Sequence, residues 1–204
     1  REVLEEVWTQ TLVRQRTPSK CLPQLRKRLE AILHVHPRFK RESQRIGESE
    51  VLSTEQLLQA AAEIESGLAA PFSVFIHGDF NTNNVVYSHA EQRVHFIDLH
   101  RSTFGDYVQD VSVFLISNFR VPVFEPSLRS RLNWMTRSMY EFALEFAQTQ
   151  GDTTFQARMA LALARSLYTS TRFELRADFA KSMFLRAHFL LDRLITHRGQ
   201  SWDS

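Results

Sequence analysis

One cysteine, Cys21, stands in 204 residues, so neither a disulfide framework nor a thiolate metal site is available. A lone thiol fits a reducing compartment, and the expected location is the cytoplasm. Only six Gly and six Pro interrupt the chain, against sixteen Phe, which predicts a packed and mainly helical body with few loops. Charge of one sign is also lacking. The 25 basic residues are interleaved with 23 acidic ones, and this leaves no basic stripe for nucleic acid. Apolar stretches are short, as in Val111 to Ile116, and none could span a bilayer. No leader pattern is visible, and the first residue is Arg, which reads as a processed form or an excised piece.

Helical periodicity is present at both ends of the chain. Residues 2–14 and 22–33 read as charged helices, and the stretch from His34 to Ser49, with Pro37 and Gly47, reads as a connection. Ser53 followed by Gln56 is a capping-box pattern that opens a helix with apolar positions Leu57, Leu58, Ala61, Ile64 and Leu68, closing before Pro71. After Asp106 the helical period returns. Leu128, Leu132, Met135, Met139, Phe142 and Phe146 predict one buried stripe, Gly151-Asp152 a break, and Phe155, Met159, Leu163 and Leu167 a further helix. Phe179, Met183, Ala187, Leu190 and Leu194 predict the last helix. These Met and Phe stripes read as ordinary core rather than as a ligand pocket.

Only between residues 73 and 97 does the period shorten. Ser73–Ile76, Val85–Tyr87 and Val94–Ile97 read as strands, with Ser88–Gln92 as the turn between the last two. Chemistry-bearing residues cluster on the loops here. His77-Gly78-Asp79 is followed by Asn84, then by Asp98 at the end of the hairpin, then by Asp106 and Asp110. Phosphoryl transfer needs a carboxylate near the acceptor hydroxyl and hard oxygen ligands for magnesium. Asp79 and Asn84 on one tight loop can face the same small volume, and Asp98 returns to it. The histidines His77, His89, His95 and His100 lack the helical spacing of a zinc site.

The stretch IHGDFNTNNVVY, followed by VHFIDLHRSTFGDYVQDVSVF, resembles the catalytic core of the aminoglycoside phosphotransferase and choline kinase family, which shares the protein-kinase-like fold. The resemblance covers about 35 residues. It implies an α+β, mainly helical large (C-terminal) lobe, a single domain over 1–204 whose short β-hairpin carries the catalytic and metal-binding loops. It further implies ATP and magnesium as cofactors and a hydroxyl of a small molecule as acceptor. By resemblance Asp79 orients or deprotonates that hydroxyl, Asn84 and Asp98 hold magnesium, His77 braces the loop, and Asp106 and Asp110 tie it to the next helix. Asn81 could touch substrate or phosphate, and Arg101 a phosphate or an anionic substrate. Asp106 also reads as a helix N-cap, and Asp110 as a structural hydrogen-bonding residue.

Two departures qualify the resemblance. No two glycines are close enough to form a phosphate-covering loop, and none of Lys20, Lys27, Lys40 and Lys181 lies in a strand pattern. The ATP-gripping lobe is therefore expected on a segment outside these residues. Leu99-His100-Arg101 stands where many family members have an aromatic and an acidic residue, and the string from Ile97 to Arg101 also resembles lipopolysaccharide-core sugar kinases. A catalytically inactive binding module and a metal-dependent hydrolase remain as alternatives. Residues 121–204 carry 11 Arg or Lys and 8 Asp or Glu, a surplus that disfavours a polycationic acceptor and leaves a sugar, an amino alcohol or a phosphorylated metabolite.

Overall fold

A computed structural model describes residues 1–46 and 49–198. It contains seven α-helices among those residues: α1 Glu2–Thr11, α2 Cys21–Val35, α3 Thr54–Glu65, α4 Val108–Arg120, α5 Pro126–Thr149, α6 Phe155–Ser170 and α7 Ala177–Thr196. Among the described residues the strands are short and pair two by two, three of the pairs being antiparallel. No helix among the described residues is long and apolar enough to cross a membrane. The chain packs as two compact units, one of residues 1–17 and 69–155, the other of residues 18–68 and 156–204.

The first unit is built on aromatic rings. Trp8 of α1 is fully buried, with ring centres of Tyr107, Phe142 and Phe146 each 5.3 Å away. Phe72 stacks on Tyr107 at 5.5 Å, and the Tyr107 hydroxyl donates to Asp152 Oδ2 at 2.8 Å. Rings of this size supply much of the apolar burial of a small core. Two strand pairs lie on it. Val74–Ile76 pairs with Thr103–Gly105, and Val85–Ser88 with Arg93–Phe96, so that Val85 faces Phe96 and Tyr87 faces Val94. The strand Thr103–Gly105 escaped the sequence reading, because three residues carry no measurable period.

Helix α5 corrects one expectation. Its stripe is buried at Met139, Phe142 and Phe146, but Leu128 and Met135 are exposed, so the first half of the helix leaves the core. What fixes that end is polar. The Glu125 carboxylate accepts from the amides of Ser127 and Leu128 and from the Ser127 hydroxyl, and the Ser127 hydroxyl, then those amides, hold it below the usual carboxylate range.

In the second unit, α2, α3 and α7 bury Leu22, Leu25, Ile32, Leu57, Leu58, Ala61, Met183, Ala187 and Leu194. The capping box at α3 is present, with Gln56 N donating to Ser53 Oγ at 3.2 Å and Ser53 N to Gln56 Oε1 at 2.9 Å. Helix α3 ends at Glu65, earlier than the apolar spacing suggested, because Leu68 N turns back to the Glu65 carbonyl at 2.9 Å. Between α2 and α3 the expected connection contains a 3₁₀ turn at Pro37–Phe39 and a small hairpin that pairs Gln44–Ile46 with Ser49–Val51. Gly47, assigned to that connection, lies outside the described residues.

Candidate functional site

All the motif residues fall in the first unit, on the segment that leaves Val74–Ile76 and turns beneath α4. Gly78 sets that turn. Its φ of +81° is a conformation that L side chains resist, and a Cβ placed there would lie 2.2 Å from the Arg101 carbonyl oxygen. The loop and the 3₁₀ turn Leu99–Arg101 are thus in backbone contact. Ser102 Oγ donates to the His77 carbonyl at 3.3 Å across the same seam.

Asp110, in the first turn of α4 and 1% exposed, holds the loop from beneath. Its carboxylate accepts from His77 N at 2.7 Å and Gly78 N at 2.9 Å, and Gln109 Nε2 donates to the Gly78 carbonyl at 3.0 Å. Hydrogen bonds from backbone amides to an ionised acceptor are about twice as strong as neutral ones. Asp106 sits just before α4, where Oδ1 accepts from Val108 N at 3.1 Å in the manner of a helix cap.

His77 links the two acidic loops. Its Nε2 donates to the Ile97 carbonyl at 2.8 Å, and its Nδ1 accepts from Asp79 N at 3.3 Å, which assigns the proton to Nε2. Ile97 N in turn donates to the Asn84 carbonyl at 3.1 Å. Asp98 follows directly, with φ 62° and ψ 49°, a left-handed conformation for a non-glycine residue. Such outliers cost energy and persist where surrounding bonds impose them. The residue before Asp98 is bonded on both sides, Ile97 N to the Asn84 carbonyl and the Ile97 carbonyl to His77.

Asn84 and Arg101 each bond Asp79, the first at its carbonyl and the second at its carboxylate. Asn84 is buried, and its Nδ2 donates to the Asp79 carbonyl at 2.9 Å, which leaves its Oδ1 as a hard donor without a protein partner among the described residues. Asp79 Oδ2 accepts from Arg101 at 2.9 Å, and Asp98 Oδ1 pairs with His100 Nδ1 at 2.5 Å. Both pairs are at least partly open to solvent, Arg101 being 52% and Asp79 29% exposed, His100 61% and Asp98 50%. Pairs of that kind contribute about 0–1 kcal/mol, so an incoming cation or substrate can displace them. Asn81 caps the following turn, its Oδ1 accepting from Asn83 N at 3.0 Å, while its Nδ2 lies 3.5 Å from Asp79 Oδ1.

The site therefore offers one carboxylate, one amide oxygen and a second carboxylate on loops locked to each other and to one helix. A model of the phosphotransferase enzyme family matches residues 8–146, more than half of the chain and all of this site. The chain belongs to that family. No curated protein and no solved structure matches it. The phosphotransferase match takes in the loops, α4 and most of α5, and agrees with the aminoglycoside phosphotransferase resemblance of the motif.

Three residues that hold the phosphotransferase loops were not singled out from the sequence. Ser102 and Gln109 bond the His77 and Gly78 carbonyls, and Ser117 Oγ accepts from Thr82 N at 3.0 Å. For Gln109 a signal existed, since it adjoins Asp110. For Ser117 there was none short of the helix register.

Proposed function

We propose that this chain carries the metal- and acceptor-handling part of an ATP- and magnesium-dependent kinase acting on a hydroxyl of a small molecule. The observation that carries this reading is the hydrogen-bonded frame that joins the loop of Asp79 and Asn84 to Ile97, the residue before Asp98. Asn84 is fixed through its amide nitrogen, which leaves its oxygen without a protein partner among the described residues, and Asp98 is held one residue from the hydrogen bond between Ile97 and Asn84. An amide oxygen and a carboxylate suit a hard cation that takes its remaining ligands from phosphate and water. In this reading Asn84 and Asp98 hold magnesium, which neutralises charge on the transferred phosphoryl group. Asp79 orients the acceptor hydroxyl and takes its proton, and Arg101, released from Asp79, is available to an anionic group.

We place the glycine-rich cover and the nucleotide-binding lysine on a segment outside these residues, within a protein-kinase-like fold of which this is the large lobe. Ile97, Leu99, Phe75 and Phe104 support that placement. They are 40 to 54% exposed around the site, and an ATP-gripping lobe would cover such a surface. The charge surplus of residues 121–204 favours a sugar, an amino alcohol or a phosphorylated metabolite as acceptor, in the cytoplasm.

The test is Asp98→Ala in the intact protein, followed by transfer of labelled γ-phosphate from ATP to a panel of hydroxyl compounds and by binding of Mn²⁺·ATP. Both should fall together, by at least a hundredfold for transfer. Normal turnover in that variant would sink the assignment. An inactive binding module is the second reading, favoured by the pairing of both Asp79 and Asp98 with basic side chains. It predicts no transfer from the unaltered protein to any acceptor.

A further inference from the structure

The catalytic loop and helix α4 run alongside each other in register. His77 and Gly78 bond Asp110, Phe80 stacks on Phe114 at 5.5 Å, and Thr82 bonds Ser117. The loop advances about two residues per contact and the helix four, then three, which is one face of an α-helix. Between these contacts the Asp79 side chain bonds Arg101, and the Asn81 side chain caps the following turn. Phe80, between them in sequence, is 3% exposed and packs against Phe96 and Phe114.

We propose that Ser117 is a positioning residue for the metal-binding end of this loop, a role that rests on the phosphotransferase reading of Asn84. Thr82 opens the 3₁₀ turn Thr82–Asn84, and its amide is a first-turn donor that the turn itself cannot satisfy. The Ser117 hydroxyl takes that bond and donates its own proton to the Phe114 carbonyl at 2.8 Å, so its orientation is fixed by the helix that carries it. From Thr82 the constraint passes two residues to Asn84, whose amide N–H is bonded to the Asn81 carbonyl at 3.0 Å. Asp110 fixes His77 and Gly78, directly before Asp79, and Ser117 fixes Thr82, two residues before Asn84. Phe114 holds the middle. The separation between the acceptor-side carboxylate and the metal-side amide is set by one helix, through two polar side chains seven residues apart.

The experiment compares Ser117→Val, which removes the hydroxyl, with Ser117→Thr, which keeps it, in the intact protein. Hydrogen exchange of the Thr82 amide should accelerate about fivefold or more in Ser117→Val and return to the original rate in Ser117→Thr, the amides of His77 and Gly78 being unchanged in both. Mn²⁺·ATP affinity, read by the electron paramagnetic resonance of free Mn²⁺, should fall about fivefold in the Val variant and recover in the Thr variant. Unaltered exchange at Thr82 overturns the anchor. Faster exchange with unaltered Mn²⁺·ATP affinity overturns the positioning role. If the unaltered protein binds no Mn²⁺·ATP, the kinase reading and with it the positioning role fall, while the exchange rates still decide whether the anchor exists.

Discussion

At Gly78 a single missing carbon atom lets the loop after Val74–Ile76 touch the backbone of Arg101. Gly78→Ala meets two penalties, a positive φ and a carbonyl oxygen 2.2 Å from the new atom. A stability loss of about 2 kcal/mol or more is expected, and a denaturant midpoint at or near the original value would contradict the contact. Asp98 presents the opposite case. Its left-handed backbone is unfavourable for Asp and free for Gly, so Asp98→Gly should hold or raise stability by up to about 1 kcal/mol while Mn²⁺·ATP binding collapses. Parallel losses in both measurements would mean that Asp98 serves the fold and not the metal. Asp79, Asn84 and Asp98 were legible in the sequence because their spacing along the chain is itself the motif. Ser117 was not, because its partner Thr82 lies 35 residues away and only the register of α4 brings the two together.

Helices in this chain are capped by several means, and only the local ones can be read from the sequence. Ser53 and Gln56 announce α3 because both halves of the box lie within four residues. Helix α2 gives no such sign, with Lys20 before it and no acidic residue in its first turn. Its N-terminus is closed by the last residue of α3. The Glu65 carboxylate, 5% exposed, accepts from Cys21 N at 2.6 Å, Leu22 N at 3.0 Å and Ser19 Oγ at 2.7 Å. A buried anion at a helix start satisfies orphan amides and meets the positive end of the helix dipole. Glu65→Gln keeps the size but loses the charge and one acceptor, and should cost about 1–3 kcal/mol. Equilibrium unfolding followed by circular dichroism reads this directly. A change below about 0.5 kcal/mol, the range of ordinary surface substitutions, would show that α2 does not depend on this cap. The α5 stripe taught the reverse lesson. Periodicity continued through Leu128 and Met135, but a regular apolar pattern does not guarantee a partner along its whole length.

For the molecule as a whole, the second unit holds a pH dependence that composition could not reveal, since eight His are present and their surroundings differ. His188 on α7 packs its ring 4.0 Å from Phe184 and 5.9 Å from Tyr168. Burial, and secondarily the positive charge of Arg41, push its pKa down from 6.5 to about 4. The unfolded chain therefore binds a proton between those values that the folded chain refuses. Stability contributed by neutral His188 is fully present above about pH 7, falls as pH drops through 6.5 toward 4, and changes no further below that. The full span corresponds to a loss on the order of 3 kcal/mol, a large fraction of the stability of a domain. His188→Phe keeps an aromatic ring against Phe184 and carries no proton, so its stability between pH 7 and 4 should decline less steeply than that of the original chain. Urea unfolding at pH 7.5, 5.5 and 4 distinguishes the two. Curves that fall in parallel would place the acid sensitivity elsewhere, whereas convergence toward pH 7.5 and divergence toward pH 4 would assign it to this ring.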